Sequence, residues 1–444
     1  MSETELTSVP KSDKLLSSTT PSEDQGNPSD TESTTSKDSA ESLWYGPIAA
    51  GSLRGGIISM IACTFGAGCL TFPYAFSRVG LLPGLVLLVF VSGSMGLMLH
   101  LLIKAALKAK TFSFSGLALN SLGQFWNTVY NICSIILLMG AIMNYMFTSY
   151  QMIEQFVMQV FGYDIQPYRM YLFGICCFAI QIPLSLLRDM SKLQYASLVA
   201  SIMIFIVIMI IAVESPFYFM QNMAEGLMPK MYIGLSWDYL DAVAIMMFGY
   251  MNHNAILQIL SEVKKPTLAR CKKVINRSWV IELIFYLLIS LGGYFSTLDN
   301  TPSIFIKRAD LKGFSPDYFI IASRCIIAIC LSCLIPLRWN LMRESVASMC
   351  KVEKLSVGTD IIVTIVGMIG LNIVVYFIDI LTIIGFIGGV VTVMISFAIP
   401  LFSYVKYYKK KSSDVSMKLG YVIFFIFLFI GTGATVKSVL DFLK

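Results

Sequence analysis

Charge is what this chain of 444 residues has least of. Asp, Glu, Lys and Arg make up 14% of it, and histidine occurs twice, at His100 and His253. A soluble domain carries about 25% charged residues. The shortfall leaves too little polar surface to coat a globule in water. Soluble enzymes, nucleic-acid binders and secreted disulfide scaffolds are therefore excluded. The start of the chain lacks the basic residues and apolar core of a signal peptide. The sequence has one Asn-x-Ser/Thr acceptor, Asn276-Arg277-Ser278. On the topology argued below it falls on the cytoplasmic side, where it cannot be glycosylated. Ten cysteines are present, and none falls in a loop assigned to the outside, so no disulfide framework is implied. Cys330 and Cys333 have CxxC spacing, but inside an apolar helix with no second pair nearby the spacing reads as packing rather than metal binding.

What is present is apolar. Hydrophobic residues make up 56% of the chain, and its mean hydropathy is +0.72. The exception is residues 1–45. Residues 2–42 hold 18 Ser or Thr, nine acids and three bases. Such a segment buries too little apolar area to offset its ordering entropy, so it is expected to be a disordered, acidic cytoplasmic tail. It is either a solvated leader or a regulatory tail, and it contains no acidic dileucine motif at proper spacing. Residues 46–444 form the membrane domain.

A helix needs about 20 apolar residues to cross the bilayer core. Eleven segments qualify: 55–78, 83–105, 127–158, 170–187, 194–213, 237–261, 277–297, 317–339, 358–377, 380–404 and 419–440. The ninth and tenth are separated by a tight turn near Phe377–Asp379. With the tail inside, the inner loops carry 20 Lys and Arg and the outer loops with the C-terminus carry 8. Positive loops stay in the cytoplasm. The N-terminus is thus expected in the cytoplasm and the C-terminus outside, in a plasma, vacuolar or lysosomal membrane. The same bias accounts for the basic excess without a ligand.

Two spans are interrupted. The first reads Thr64-Phe65-Gly66-Ala67-Gly68-Cys69-Leu70-Thr71-Phe72-Pro73. Glycine costs about 1 kcal/mol relative to alanine in a helix interior and proline about 3. Backbone released at membrane depth is tolerated only when buried in protein or lining a cavity. Close packing of small residues against a neighbour is the competing explanation. The sixth span reads Phe248-Gly249-Tyr250-Met251-Asn252-His253-Asn254, a glycine and polar residues amid apolar ones. Intramembrane ionisable residues are costly and face the bundle interior, which marks His253. Spans one and six are equivalent in a five-plus-five inverted repeat. Paired interruptions at corresponding positions point to a transporter binding site.

The run Gly66-Ala67-Gly68-Cys69-Leu70-Thr71-Phe72-Pro73-Tyr74-Ala75-Phe76, followed by Gly80, resembles the first-helix signature of the amino acid/auxin permease family, which includes vacuolar and sodium-coupled neutral amino acid transporters. His253 and Glu262, nine apart, match the sixth helix of that family, and Val263–Arg270 resembles the linker after it. Arg324, Pro336 and Arg343 reproduce its eighth-helix spacing. The resemblance spans residues 52 to about 440. It implies an all-α, LeuT-like fold of eleven transmembrane helices: a 5+5 inverted repeat plus one extra helix, with helices one and six broken. It implies secondary active amino acid transport by alternating access, and no enzyme activity. By position, the Gly66–Gly68 backbone, with Ala67 between, would take the substrate carboxylate. Thr64, Phe65 and Leu70 would flank it, and Phe248, Gly249, Tyr250 and Asn252 would line the pocket.

The sequence departs from the sodium-coupled branch at two positions. Ala62 stands where that branch has Asn, and Leu334 where it has Thr. Two side-chain oxygens for sodium are thereby missing, although Ser332 and backbone carbonyls could still serve. Proton-coupled or uncoupled transport ranks ahead of sodium coupling. His253 could carry the proton. Glu262, Arg324 and Arg343 read as structural charges. The expected partners are an amino acid and membrane lipid, with no nucleic acid. No cofactor is implied beyond a transported H⁺ or Na⁺, and a monomer suffices. The proposed pocket has no charged side chain on helix one or six, which favours neutral substrates. Alternatives are a sodium symporter, an amino acid sensor on the same scaffold, an intramembrane enzyme using His253 beside Asn252, and a channel. The enzyme lacks a second catalytic group at that depth, and the channel lacks a ring-forming charge or carbonyl repeat.

Overall fold

A computed structural model describes residues 52–186, 190–310, 316–349, 356–408 and 415–443, with side chains omitted at 190–198 and at Ser348. The Ser/Thr-rich segment at 1–45 lies outside the described residues. The described chain is helical and contains eleven spans long and apolar enough to cross a membrane. They are Leu53–Thr64 with Ala67–Val79, Leu81–Ala109, Gln124–Phe161, Gln166–Ser185, Val199–Ala224, Asp238–Ser261, Leu268–Asn300, Tyr318–Ala347, Val357–Phe377, Ile380–Tyr408 and Val415–Phe442. We number them one to eleven. This is the all-α, eleven-helix membrane architecture expected from hydropathy. The turn between spans nine and ten is also where the sequence places it: Asp379 caps span ten by accepting from the Leu381 N–H at 3.1 Å.

Three features differ from the expectation. A short helix, Phe114–Leu122, sits between spans two and three. Its nine residues are too few to cross a bilayer, so a hydropathy count passes over it. Span five continues to Ala224 through Pro216, where a loop was expected from residue 214. Glu214, the first residue past the expected end of the span, is paired with Arg308. Span eight continues to Met349, so Arg338 belongs to the membrane domain and not to an inner loop.

Span one is bent by 50° at its break. Its first half is capped by Ser52, which accepts from the Gly55 N–H at 2.9 Å. Phe65 and Gly66 are extended, with φ/ψ of −74/117° and −155/−169°. A tight turn over Ala67–Thr71 follows, and the second half starts at Phe72. Pro73 lies in its first turn, where a missing N–H costs nothing because it would have no partner there. Span six runs as Asp238–Gly249, breaks at Tyr250–Asn252, and resumes as His253–Ser261. The two interruptions expected from the sequence are therefore in the first span of each run of five, and span ten is kinked as well, at Gly389 with φ/ψ of −75/−117°.

On the side where spans seven and eight connect, Ile304, Phe305 and Ile306 of the linker are fully buried. The linker is anchored by Arg308, which pairs with Glu214 and lies 3.8 Å over the Tyr218 ring.

Candidate functional site

The two breaks meet. Tyr286, on span seven, donates from its hydroxyl to the Gly249 carbonyl at 2.6 Å and lies 3.2 Å from the Thr64 carbonyl. One hydroxyl thus joins the ends of both first halves. Close approach explains the glycines. A Cβ at Gly249 would stand 2.4 Å from Phe72 Cε1, and one at Gly66 would stand 2.6 Å from the Tyr145 hydroxyl. Gly66 is extended, a conformation open to any residue, so the constraint there is space and not φ.

Between the breaks lies a cavity of ≈ 40 Å³, room for a few waters. Cys63, Thr64, Gly66 and Gly68 line it from span one, and Phe248, Gly249, Met251 and Asn254 from span six. Leu137, Leu138, Ala141 and Tyr145 close it from span three, and Arg338 from span eight. The N–H groups of Gly66, Ala67 and Gly68 have no backbone acceptor among the described residues, which leaves them as donors at the start of the turn. Arg338 is the charged group of the cavity wall. It donates from Nη2 to the Cys63 carbonyl at 3.0 Å and to the Tyr145 hydroxyl at 3.3 Å. The cavity wall thus combines glycine backbone, a cation and aliphatic side chains of span three. Such groups suit a carboxylate and an apolar group, but at ≈ 40 Å³ the cavity as it stands is too small for a whole amino acid.

The structure brings Thr64, Gly66, Gly68, Phe248 and Gly249 to the cavity wall. The other expected site residues stand behind it. Phe65 turns to span seven, its ring 5.3 Å from Phe285 and 5.8 Å from Tyr286. Ala67 and Leu70 are buried within the turn. Tyr250 packs edge-on to Tyr286 at 4.5 Å. Asn252 donates to Thr64 Oγ1 at 2.9 Å and to Glu282 Oε2 at 3.4 Å. His253 is fully buried, with its ring against the Met95 backbone of span two.

Ser332 is not brought together with these groups. It donates to its own helix at the Ala328 carbonyl, 2.8 Å away, and lines a separate apolar recess with Met152, Phe156 and Ile180. Glu262 is exposed at the end of span six. Arg324 is buried and donates to the carbonyls of Ile306 at 3.1 Å and Arg308 at 3.0 Å, and to Gln159 Oε1. It therefore holds the linker between spans seven and eight. Arg343 pairs with Asp360 at 2.9 Å and donates to Asn340 and Thr364 at 2.8 and 3.1 Å, tying span eight to span nine.

The sequence reading passed over Glu282, Arg338 and Tyr145. For Glu282 a signal existed: one acid inside the apolar run Trp279–Leu288, and such residues are rarely idle.

The chain is 26% identical over 408 residues to the sodium-coupled neutral amino acid symporter 2 of Danio rerio, covering 85% of this chain and 80% of that one. It is 24% identical to a putative sodium-coupled neutral amino acid transporter 11 of the same organism, over 54% of this chain and 55% of that one. Among solved structures, Mhp1, a nucleobase-cation-symport-1 family transporter, superposes with a TM-score of 0.48 at 12% identity over 89% of this chain and 94% of that one. A manganese transporter of Eremococcus coleocola gives 0.47 at 11% identity over 88% and 94%. Residues 49–440 match the family described as transmembrane amino acid transporter protein. The chain, a multi-pass membrane protein with broken first and sixth helices, belongs to that family of transporters.

Proposed function

We propose that the cavity between the two breaks is the substrate site, and that the protein moves neutral amino acids with protons rather than sodium as the driving ion. The observation that carries this reading is the pair formed by unbonded N–H groups at Gly66–Gly68 and the Arg338 guanidinium at the Cys63 carbonyl. The substrate carboxylate binds the N–H groups, with the Arg338 charge beside it. The apolar part of the substrate lies against Leu137, Leu138 and Ala141. Neutral substrates fit because no lining residue of spans one and six carries a charge.

Two features favour the proton. Ala62 and Leu334 supply no side-chain oxygen. A carbonyl that an unwound helix would offer to a cation, that of Cys63, already accepts from a guanidinium. The printed names of the relatives favour sodium as the second reading. Charge bias places the N-terminus in the cytoplasm and the C-terminus outside.

Uptake of a labelled neutral amino acid mixture into proteoliposomes tests both readings. Accumulation under an inward proton gradient, with none under a sodium gradient, is expected. Accumulation driven by sodium alone would replace the proton reading with the second one, and no uptake under any gradient would remove both.

A further inference from the structure

Glu282, on span seven, is 2% exposed. Its oxygens meet neutral groups from the two breaks. Thr64 Oγ1 is 3.0 Å from Oε1, and Asn252 Nδ2 is 3.4 Å from Oε2. Tyr286, one turn further on the same face of span seven, meets the carbonyls at the same two breaks.

The protons at Thr64 can be counted. A hydroxyl has one proton to donate and two lone pairs. Three groups stand within bonding distance of Thr64 Oγ1: the Met60 carbonyl at 2.9 Å, Glu282 Oε1 at 3.0 Å and Asn252 Nδ2 at 2.9 Å. Asn252 donates, and the Met60 carbonyl can only accept. With Glu282 ionised, it and the Met60 carbonyl compete for a single proton, and one of the two contacts is lost. With Glu282 protonated, its O–H donates to Thr64, Thr64 donates to Met60, and all three contacts are satisfied. The network therefore bonds span one in two different ways, selected by one proton on Glu282.

We infer that Glu282 takes up and releases the coupling proton, and that this proton sets how span one is tied to span seven at its break. The inference rests on the proton-driven reading above. Glu282 acts by positioning Thr64 and Asn252 and does not touch the substrate. The titratable groups facing it are the Cys63 thiol from span one, the Tyr250 phenol from span six and Tyr286 of its own helix. Glu262 and Arg338 act on Cys63, and His253 follows Asn252 in the chain. From span two, His100 meets span seven at Asn276, near Lys272 and Lys104.

The test loads proteoliposomes with a pH-sensitive dye and follows labelled amino acid and proton movement together, for wild type, Glu282→Gln, Glu282→Asp and His253→Gln. Wild type is expected to move protons with substrate and to accumulate substrate under an inward proton gradient. Glu282→Gln is expected to exchange amino acid for amino acid without proton movement, and its ratio of uptake at acid to neutral pH falls to unity. Proton-linked uptake by Glu282→Gln, or its loss in His253→Gln alone, would overturn the inference while leaving the transport reading intact. A wild type that moves substrate without protons would instead remove the proton-driven reading itself. If Glu282→Gln is inactive, Glu282→Asp decides. Restored proton-linked flux supports the inference, whereas continued inactivity assigns Glu282 a structural role and overturns it.

Discussion

Asn252 donates to Thr64 Oγ1 at 2.9 Å, so the gap in the sixth helix is bonded to the last residue of the first half of the first. Thr64→Val keeps the volume and removes the hydroxyl. It strands one N–H of the Asn252 amide and one oxygen of Glu282 in a buried site, at a cost of about 1–3 kcal/mol. The variant is expected to melt below wild type in detergent, and Thr64→Ser to melt close to it. Equal melting of Thr64→Val and wild type would show that the hydroxyl bonds contribute nothing to stability.

Gly66 faces the Tyr145 hydroxyl, with room for no Cβ. Gly66→Ala is therefore expected to lose most uptake while still inserting in the membrane, with an overpacking cost of about 1–3 kcal/mol. Tyr145→Phe removes the obstructing oxygen. The double variant Gly66→Ala/Tyr145→Phe should regain melting temperature relative to Gly66→Ala. A double variant as unstable as the sum of the singles would mean the clash is not with that hydroxyl.

Arg338 places its charge at the Cys63 carbonyl. Arg338→Gln is expected to lower uptake at least tenfold, chiefly through a raised KM, because the substrate carboxylate loses its cation. Arg338→Lys should fall between, since a compact ammonium keeps charge but not the fork. An unchanged KM in Arg338→Gln would remove Arg338 from substrate binding.

The Glu214–Arg308 pair anchors the linker between spans seven and eight, with side chains 15% and 1% exposed. Removing one partner of a buried pair costs about 3–5 kcal/mol, whereas replacing both by apolar residues is often close to neutral. Arg308→Leu alone should therefore lower the melting temperature more than Glu214→Leu with Arg308→Leu. The reverse order would show that the pair contributes through its charges and not through burial.

The spans and both breaks were legible because they depend on composition over 20 residues and on glycine and proline chemistry, which are local. The extents of spans five and eight were not. Glu214 and Arg338 look like chain leaving the membrane until their partners, Arg308 and the Cys63 carbonyl, are known, and those lie 94 and 275 positions away. The cavity was half legible for the same reason. Thr64, Gly66, Gly68, Phe248 and Gly249 sit at the breaks themselves, whereas Tyr145 and Arg338 reach it from uninterrupted helices. No local pattern distinguishes them from packing residues. Ser332 shows the converse: a hydroxyl at a plausible position in the chain bonds to its own helix and faces elsewhere.

The cavity wall divides by origin. The breaks contribute three glycines and their backbone beside Cys63, Thr64, Phe248, Met251 and Asn254, while span three contributes Leu137, Leu138, Ala141 and Tyr145 along one face. Every amino acid carries the same carboxylate and differs in its side chain. In the proposed pose the invariant part of the cargo would be met by main chain, which substitution hardly changes, and the variable part by ordinary side chains on an intact helix. The menu of such a transporter would then be rewritten at Ala141 and its neighbours, away from the two breaks.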